Sequence, residues 1–308
     1  MNVRNNSNNY NDQASQLRHF KPKKHTFTIA IISGKGGVGK SNVAVALSCA
    51  LAEFGKNVIL VDSDLGMANL DILCGIKSKF NIAHLLNGSK SLNDILLPVP
   101  RSDKALSNHG SVLLLPGATG LRSITQLGDN NPDFLLNSLS QLEFMSDYLI
   151  LDAGAGIHNS SLDLAIYSDI TILITTPEPT SIRDAYGVIK SLAPNFKNNL
   201  LLLVNLASSR KQAHSTSDRI RIASTKFLGV SPVYLGYILK DTAVEKSVSS
   251  CRIFYLIYPS SPASQCIKNI SVELLNLCEG VKYNHPSHNS FFKSLSLLFR
   301  SIPLAMRS

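Results

Sequence analysis

From Thr26 onward the chain alternates between two hydrophobic patterns. Short, nearly unbroken apolar runs recur: TFTIAIIS (26–33), NVILVDSD (57–64), SVLLLP (111–116), DYLILDA (147–153), DITILIT (169–175), NLLLLVN (199–205), VYLGYI (233–238) and FYLIYP (254–259). Each has the length and β-branched content of a buried strand. Between them the apolar positions repeat at helical spacing. In GKSNVAVALSCALAEFG these positions are Val43, Leu47, Ala50, Leu51 and Phe54, and Gly55 suits a C-terminal cap. Residues 134–145 and 181–192 read as helices in the same way. Continuous apolar strands alternating with helices predict an α/β fold: a doubly wound, mostly parallel sheet flanked by helices.

No internal repeat and no clear break divides residues 26–280, which read as one domain. Residues 208–219 (SSRKQAHSTSDR) read as a surface loop entering a helix. Residues 1–25 contain NVRNNSNNYN, which has nothing to bury and reads as a tail. Residues 281–308 read as a linker followed by a C-terminal amphipathic helix. In NSFFKSLSLLFRSIPLAMRS (289–308), Phe291, Leu295, Leu298, Phe299 and Ile302 form one stripe and Phe292 adds a second aromatic ring. Lys293 and Arg300 fall elsewhere on the wheel, and Pro303 stops the helix. Such a stripe suits a helix lying in a membrane interface. It suits equally a helix docked on a core, and one helix can do both in different states.

Composition adds less. The chain has 308 residues, 44% hydrophobic and 17% charged, enough for a sizeable core. No signal peptide is expected, and the run LLLLV (200–204) falls far short of the ~20 residues that span a bilayer. Five scattered cysteines read as reduced, buried thiols of a cytosolic protein. The eight histidines form no metal-ligand spacing. A formal net charge of +9 favours acidic partners without choosing among nucleotide, anionic lipid and nucleic acid. Direct nucleic-acid binding is set aside, because the basic residues are dispersed and no helix-turn-helix is visible.

The chemistry concentrates after the first strand. Gly34, Lys35, Gly36, Gly37, Val38, Gly39, Lys40 and Ser41 fit G-x-x-x-x-G-K-[ST], with Asn42 next in the following helix. Strand, loop and helix are the context this motif needs. Glycines let successive backbone N–H groups face phosphate oxygens, and the helix N-terminus adds positive potential. Lys40 would neutralise β- and γ-phosphate charge, and Ser41 would hold Mg²⁺.

Lys35 goes beyond that motif. KGGVGKS resembles the deviant Walker A loop of the MinD/ParA family of P-loop ATPases. The resemblance implies ATP and Mg²⁺ as ligands. It implies a homodimer formed on ATP, in which Lys35 reaches the partner subunit's phosphates. VDSDLGMANLD (61–71) resembles the family's first switch, which makes Asp64 the residue that orients water and Asp62 a water-mediated Mg²⁺ ligand. Met67, Asn69 and Leu70 there suit packing as well as function. LILDAGAGI (149–157) resembles the Walker B strand and second switch; Asp152 would hold Mg²⁺ through water, and Gly154 and Gly156 leave the turn free to respond. TTPEPTSIRDAYGVIK (175–190) and LLLVN (201–205) resemble later nucleotide-facing segments, with Asn205 implied at adenine.

Two segments are more specific. DQASQLR (12–18) resembles the DQAxxLR element of the FlhG (FleN) family, the MinD-like regulators of flagellar number. In that family it forms a short helix that activates the partner GTPase FlhF. Asp12, Gln13, Ala14, Leu17 and Arg18 occupy its positions, Gln13 that of the key glutamine. The L-G-Y-I, D-x-A-V and Y-P-x-S-P-A-S framework of residues 235–271 resembles the same family's C-terminal region. Few basic residues precede the aromatic in LKDTAVEKSVSSCRIF, and Leu206-Ala207 follows Asn205; both depart from the expected pattern. The resemblance implies a cytoplasmic, slowly hydrolysing switch that sits reversibly on the inner face of the cytoplasmic membrane. Its implied partners are a FlhF-like GTPase and either flagellar switch (C-ring) proteins or a flagellar transcription activator. A general MinD/ParA-type positioning ATPase and a nucleotide-gated antiactivator with little turnover are the rival readings.

Overall fold

The computed structural model describes residues 26–64, 68–101, 110–118, 132–196, 199–280, 291–293 and 295–296. Five of the residues singled out above, Asp12, Gln13, Ala14, Leu17 and Arg18, lie outside them, as do Met67, Leu298, Phe299 and Ile302. Among the described residues eight strands form one sheet: β1 (Phe27–Ser33), β2 (Val58–Ser63), β3 (Leu97–Pro98), β4 (Val112–Leu115), β5 (Tyr148–Ala153), β6 (Ile170–Thr175), β7 (Asn199–Ala207) and β8 (Val233–Leu239). Their order is β3-β4-β2-β5-β1-β6-β7-β8, and only the β3–β4 pair is antiparallel. The inner strands are buried on both faces, which is why they read as unbroken apolar runs.

Twelve helices join the strands among the described residues: α1 (Lys40–Glu53), α2 (Leu70–Leu73), α3 (Ile82–Leu86), α4 (Leu92–Ile95), α5 (Pro132–Ser140), α6 (Leu142–Met145), α7 (Asn159–Tyr167), α8 (Pro179–Leu192), α9 (Arg210–Leu228), α10 (Thr242–Ser249), α11 (Phe254–Ile257) and α12 (Pro262–Gly280). One face of the sheet, with Ile29, Ile31, Leu60 and Ile150, packs against α1 and α12. The other, with Ala30, Ile32, Ile59 and Leu151, packs with Leu164 of α7 and Val188 and Ile189 of α8. Phe291, Phe292 and Leu295 belong to this second core and are 2%, 2% and 0% exposed. The described part of the C-terminal stripe is therefore docked in this state.

Four expectations are corrected. FYLIYP is not a strand: it forms the single turn α11, whose Phe254 and Tyr255 are both buried while α11 packs on α1. A short apolar run does not by itself distinguish a strand from a helical turn. The stretch 208–219 does enter a helix, but earlier than expected: Ser209 accepts a hydrogen bond from Gln212 N (3.2 Å) and caps α9, which begins at Arg210, so only the first two residues precede it. Its polar composition hid the start of a helix whose inner face is mostly small: Ala213, Thr216, Ser217 and Ser224, with Ile220 between them. The α1 stripe was expected on one side, yet residues 43–52 are buried all round because α12 covers the face away from the sheet, and Phe54 is exposed. Residues 134–145 divide into α5 and α6 at Gln141.

The chain crosses from β1 to β2 past β5, and from β6 it winds outward the other way. The resulting crevice at the C-terminal ends of β1, β2 and β5 is where a doubly wound sheet accepts ligands.

Candidate functional site

The loop from β1 to α1 follows from its glycines. Gly39 has φ +84°, and a Cβ there would meet Asn205 Nδ2 at 2.4 Å. Gly34 lies against α8, so that a Cβ would meet the Asp184 backbone at 2.5 Å. Neither position accepts another residue without moving backbone or its supporting side chain. Ser33 Oγ donates to Lys35 O (3.0 Å), and Val43 N donates to Gly39 O (3.0 Å) as α1 begins.

Lys40 opens α1 and is buried; its Nζ lies 2.5 Å from Asp152 Oδ1. The Ser41 hydroxyl also favours the charged form of Asp152. Burial pushes the Asp152 carboxyl up, and Lys40 offsets part of that rise. Asp62 sits beside Asp152 in the β2–β5 register. It is pushed up to about 7 by burial first and by Asp152 second. Its carboxylate accepts three backbone N–H groups: Asp64 on Oδ1 (3.2 Å), and Asn69 (2.9 Å) and Leu70 (3.1 Å) on Oδ2. Asp62 thus holds the start of α2, and Leu70 is fully buried. Asp64 follows at the mouth, with its Cγ 3.6 Å from where a Cβ on Gly154 would sit.

The second switch is tied to the same strand end. Gly156 N donates to Ser33 O (3.0 Å), and Ser161 Oγ donates to Gly154 O (3.0 Å). Ile157 Cδ1 comes within 3.1 Å of the Cβ position of Gly187 on α8.

Without nucleotide or a second subunit, two residues have partners within the chain. Lys35 Nζ is held by Glu178 Oε2 (2.6 Å) and Thr180 Oγ1 (3.3 Å) of the same chain. Asn205 Nδ2 donates to Val38 O (2.7 Å) and its Oδ1 accepts from Leu206 N (2.9 Å), so here the amide braces the phosphate loop. Leu206 has φ +56°, a left-handed conformation that costs a β-carbon residue about 1 kcal/mol. Sequence reasoning missed Glu178, Thr180 and Asp184. The available signal was Pro179 at the first helical position after β6, which puts Glu178 at the sheet's C-terminal edge.

Two buried carboxylates side by side at strand ends, both raised, form an environment that a divalent cation relieves. Asp62, Asp152 and the Ser41 hydroxyl therefore fit Mg²⁺. The backbone of residues 35–41 and Lys40 fit the phosphates of a nucleotide. Among the described residues no helix is long and apolar enough to cross a membrane.

The comparisons with known proteins agree with this geometry. The family described as CobQ/CobB/MinD/ParA nucleotide binding domain matches residues 29–252. The antiactivator FleN of Pseudomonas aeruginosa is 35% identical over 244 residues, 79% of this chain and 84% of that protein. The flagellum site-determining protein YlxH of Helicobacter pylori is 32% identical over 298 residues, 92% of this chain and 98% of that protein. The fold is similar to that of the septum site-determining protein MinD of Pyrococcus horikoshii complexed with Mg-ADP, with a TM-score of 0.66 and 24% identity, covering 83% of this chain and 99% of that one.

Proposed function

From the premise that this chain belongs to the CobQ/CobB/MinD/ParA nucleotide-binding family, and within it to the FlhG/FleN branch, we propose that it is an ATP-hydrolysing switch that sets flagellar number and placement. The observation that carries the reading is the joint presence of Lys40, Ser41, Asp62 and Asp152 at one strand-end crevice, with Asp64 at its mouth.

ATP enters with its phosphates on the N–H groups of residues 35–41. Lys40 leaves Asp152 and neutralises the β- and γ-phosphates. Ser41 and, through water, Asp62 and Asp152 would hold Mg²⁺, which would supply charge neutralisation at the phosphates. Asp64 orients the water that attacks the γ-phosphorus in line with the departing ADP. Lys35 leaves Glu178 for the γ-phosphate of a second copy, so that hydrolysis depends on dimerisation, as with an arginine finger supplied in trans. Asn205 exchanges its Val38 contact for adenine.

The dimer acts through other molecules. Residues 12–18 activate a FlhF-like GTPase, with Gln13 beside the GTP. Flagellar switch proteins or a transcription activator read the nucleotide state. Phe291, Phe292 and Leu295, docked in the monomer, leave the core and, together with Leu298, Phe299 and Ile302, enter the cytoplasmic membrane. Two such helices in a dimer gain from effective concentration, ~100-fold or more over one. An antiactivator with slow turnover uses the same site and differs in rate.

A strain lacking the protein should show altered flagellar number by microscopy, restored by the wild type and not by Lys40→Ala. Unchanged flagella would remove the assignment. Binding to anionic liposomes should require ATP and residues 290–308; equal binding by the truncated chain would leave the stripe as core.

A further inference from the structure

Residues 241–264 carry the D-x-A-V and Y-P-x-S-P-A-S pattern and take no part in the mechanism proposed above. They fold as a bracket pinned at both ends. Asp241 Oδ1 accepts from Ala243 N (2.9 Å), capping α10, and its Oδ2 accepts from Ala263 N (3.1 Å) at the start of α12. Lys240 N donates to Ala207 O (2.9 Å), which ties the bracket to the end of β7, two residues beyond Asn205. Tyr255 Oη donates to Glu53 Oε2 (2.7 Å), and Phe254 and Tyr255 are buried where α11 packs on α1. Between these anchors α10 ends in a closed turn: Cys251 N donates to Val248 O (3.1 Å) and Arg252 N to Ser247 O (3.0 Å). That pair of bonds calls for a left-handed residue, usually glycine, and Cys251 supplies it with φ +50°.

The turn meets the first switch at one point. α2 is a single helical turn whose first N–H groups, those of Asn69 and Leu70, are held by Asp62. Leu73 N and Cys74 N close it on Asn69 O and Leu70 O (3.1 and 2.9 Å), and Cys74 is buried. Gly75 follows directly with φ +67°, and a Cβ there would meet Cys251 O at 2.7 Å. Glycine is needed at this position both for its conformation and for space. We propose that residues 241–264 read the state of the first switch through the contact between Gly75 and Cys251.

With its carboxylate on Asn69 and Leu70, Asp62 fixes α2 and so keeps Gly75 against the Cys251 carbonyl. Loss of those bonds frees a helix too short to hold its place alone. The contact then slackens, and the turn that carries a left-handed β-carbon residue loosens with it. Val248 and Tyr258, both 38% exposed on either side of the turn, are presented differently in the two states. The link from Asp62 to the turn is made by contacts within the chain. That nucleotide with Mg²⁺ draws Asp62 away from α2 rests on the assignment of the crevice to nucleotide.

Amide hydrogen exchange of the full chain, read over residues 250–253, tests the link. Asp62→Ala removes the acceptor for Asn69 and Leu70. Without ligand, exchange over 250–253 should accelerate about threefold or more, while residues 200–204 of β7 keep the wild-type rate. Unchanged exchange over 250–253, or acceleration shared by β7, would overturn the proposal. Gly75→Ala forces the two backbones apart and should accelerate the same residues, and the double change should be no faster than either one. Fully additive effects would mean that Asp62 and Gly75 act separately and would overturn it too. Saturating ADP with Mg²⁺ keeps the ATP-driven dimer out of the readout; it should accelerate exchange in the wild type and add nothing in Gly75→Ala. Binding of ADP and Mg²⁺ by calorimetry without that acceleration would overturn the reading of the switch. If calorimetry finds no binding, the assignment to nucleotide falls, and the ligand-free comparison of Asp62→Ala with the wild type still decides the link.

Discussion

The two lysines of the phosphate loop form ion pairs of nearly equal length and very different setting. Lys40 lies 2.5 Å from Asp152 with both side chains buried, 8% and 1% exposed. Lys35 lies 2.6 Å from Glu178 with the side chains 32% and 64% exposed. Burial decides what each pair can do. An exposed pair contributes roughly 0–1 kcal/mol, because water and salt replace the lost partner. Removing one member of a buried pair costs about 3–5 kcal/mol, because the other charge is left without compensation. Lys40 is therefore tied to its own site and can exchange Asp152 only for another strong anion. Lys35 can be transferred to a different anion, including one on a second molecule, at little cost.

The largest expected effect breaks the buried pair. Lys40→Ala should abolish nucleotide binding and destabilise the nucleotide-free fold by about 3 kcal/mol, read from the denaturation midpoint. Lys35→Ala should leave that midpoint within about 1 kcal/mol of wild type. Equal losses from the two changes would refute the contrast.

The next effect concerns rate. Lys35→Ala and Asp64→Ala should both retain ATP binding and lower hydrolysis at least ~100-fold, for different reasons. Lys35→Ala removes a cross-subunit contact and should weaken ATP-dependent dimerisation. Asp64→Ala removes only the group that orients water and should accumulate dimer on size-exclusion chromatography with ATP and Mg²⁺. A monomeric Asp64→Ala, or wild-type hydrolysis by Lys35→Ala, would show the roles to be misassigned.

The buried half of this contrast was legible in the sequence, and the exposed half was not. Loop glycines and Lys40 occur at short, fixed spacings because backbone geometry demands them; Asp152 is 112 residues away but ends an unbroken apolar strand run, which marks its place. Glu178 is 143 residues from Lys35, and Val38 is 167 from Asn205. No local pattern encodes such contacts; they follow from β6 and β7 lying beside β1 in the finished sheet. The sheet itself was legible because its inner strands are buried on both faces. Elements whose burial is partial or made largely by small residues were less so: the first turns of α9 looked like a loop, and the aromatic turn α11 looked like a strand. The role of Asp62 was half legible, since its place at a strand end was clear but its hold on the N–H groups of Asn69 and Leu70 was not.

That role gives a pH prediction of intermediate size. Asp62 is raised from 3.8 to about 7 in the folded, nucleotide-free protein. A raised carboxyl binds its proton more tightly folded than unfolded. The stability it adds is complete below pH ~4 and is lost as pH rises through about 7. From pH 5.5 to 8 this loss should be on the order of 1–2 kcal/mol, after discounting for coupling to Asp152. Asp62→Asn should flatten the denaturation midpoint across that range relative to wild type. An unchanged slope would mean that Asp62 is ionised throughout and that the two carboxylates are compensated in some other way.

The smallest effect sharpens the exposed half of the comparison. Glu178 caps α8 by position only; its side chain makes no capping hydrogen bond, and its oxygen holds Lys35 instead. Glu178→Gln keeps the side chain's size and removes its charge, so the fold should change by well under 1 kcal/mol. Its effect should appear in assembly. In the monomer Glu178 competes with the second subunit's phosphates for the same ammonium group. Weakening that competitor by a few tenths of a kcal/mol in each of two subunits should tighten ATP-dependent dimerisation about two- to fivefold. Raising salt screens the wild-type pair, so the advantage of the variant should shrink between 0.05 and 0.5 M NaCl, about 14 to 4 Å of Debye length. Sedimentation of wild type and Glu178→Gln with ATP and Mg²⁺ at both salt concentrations measures this. Weaker dimerisation by the variant would mean that Glu178 supports the assembled state and does not merely hold Lys35 in the monomer.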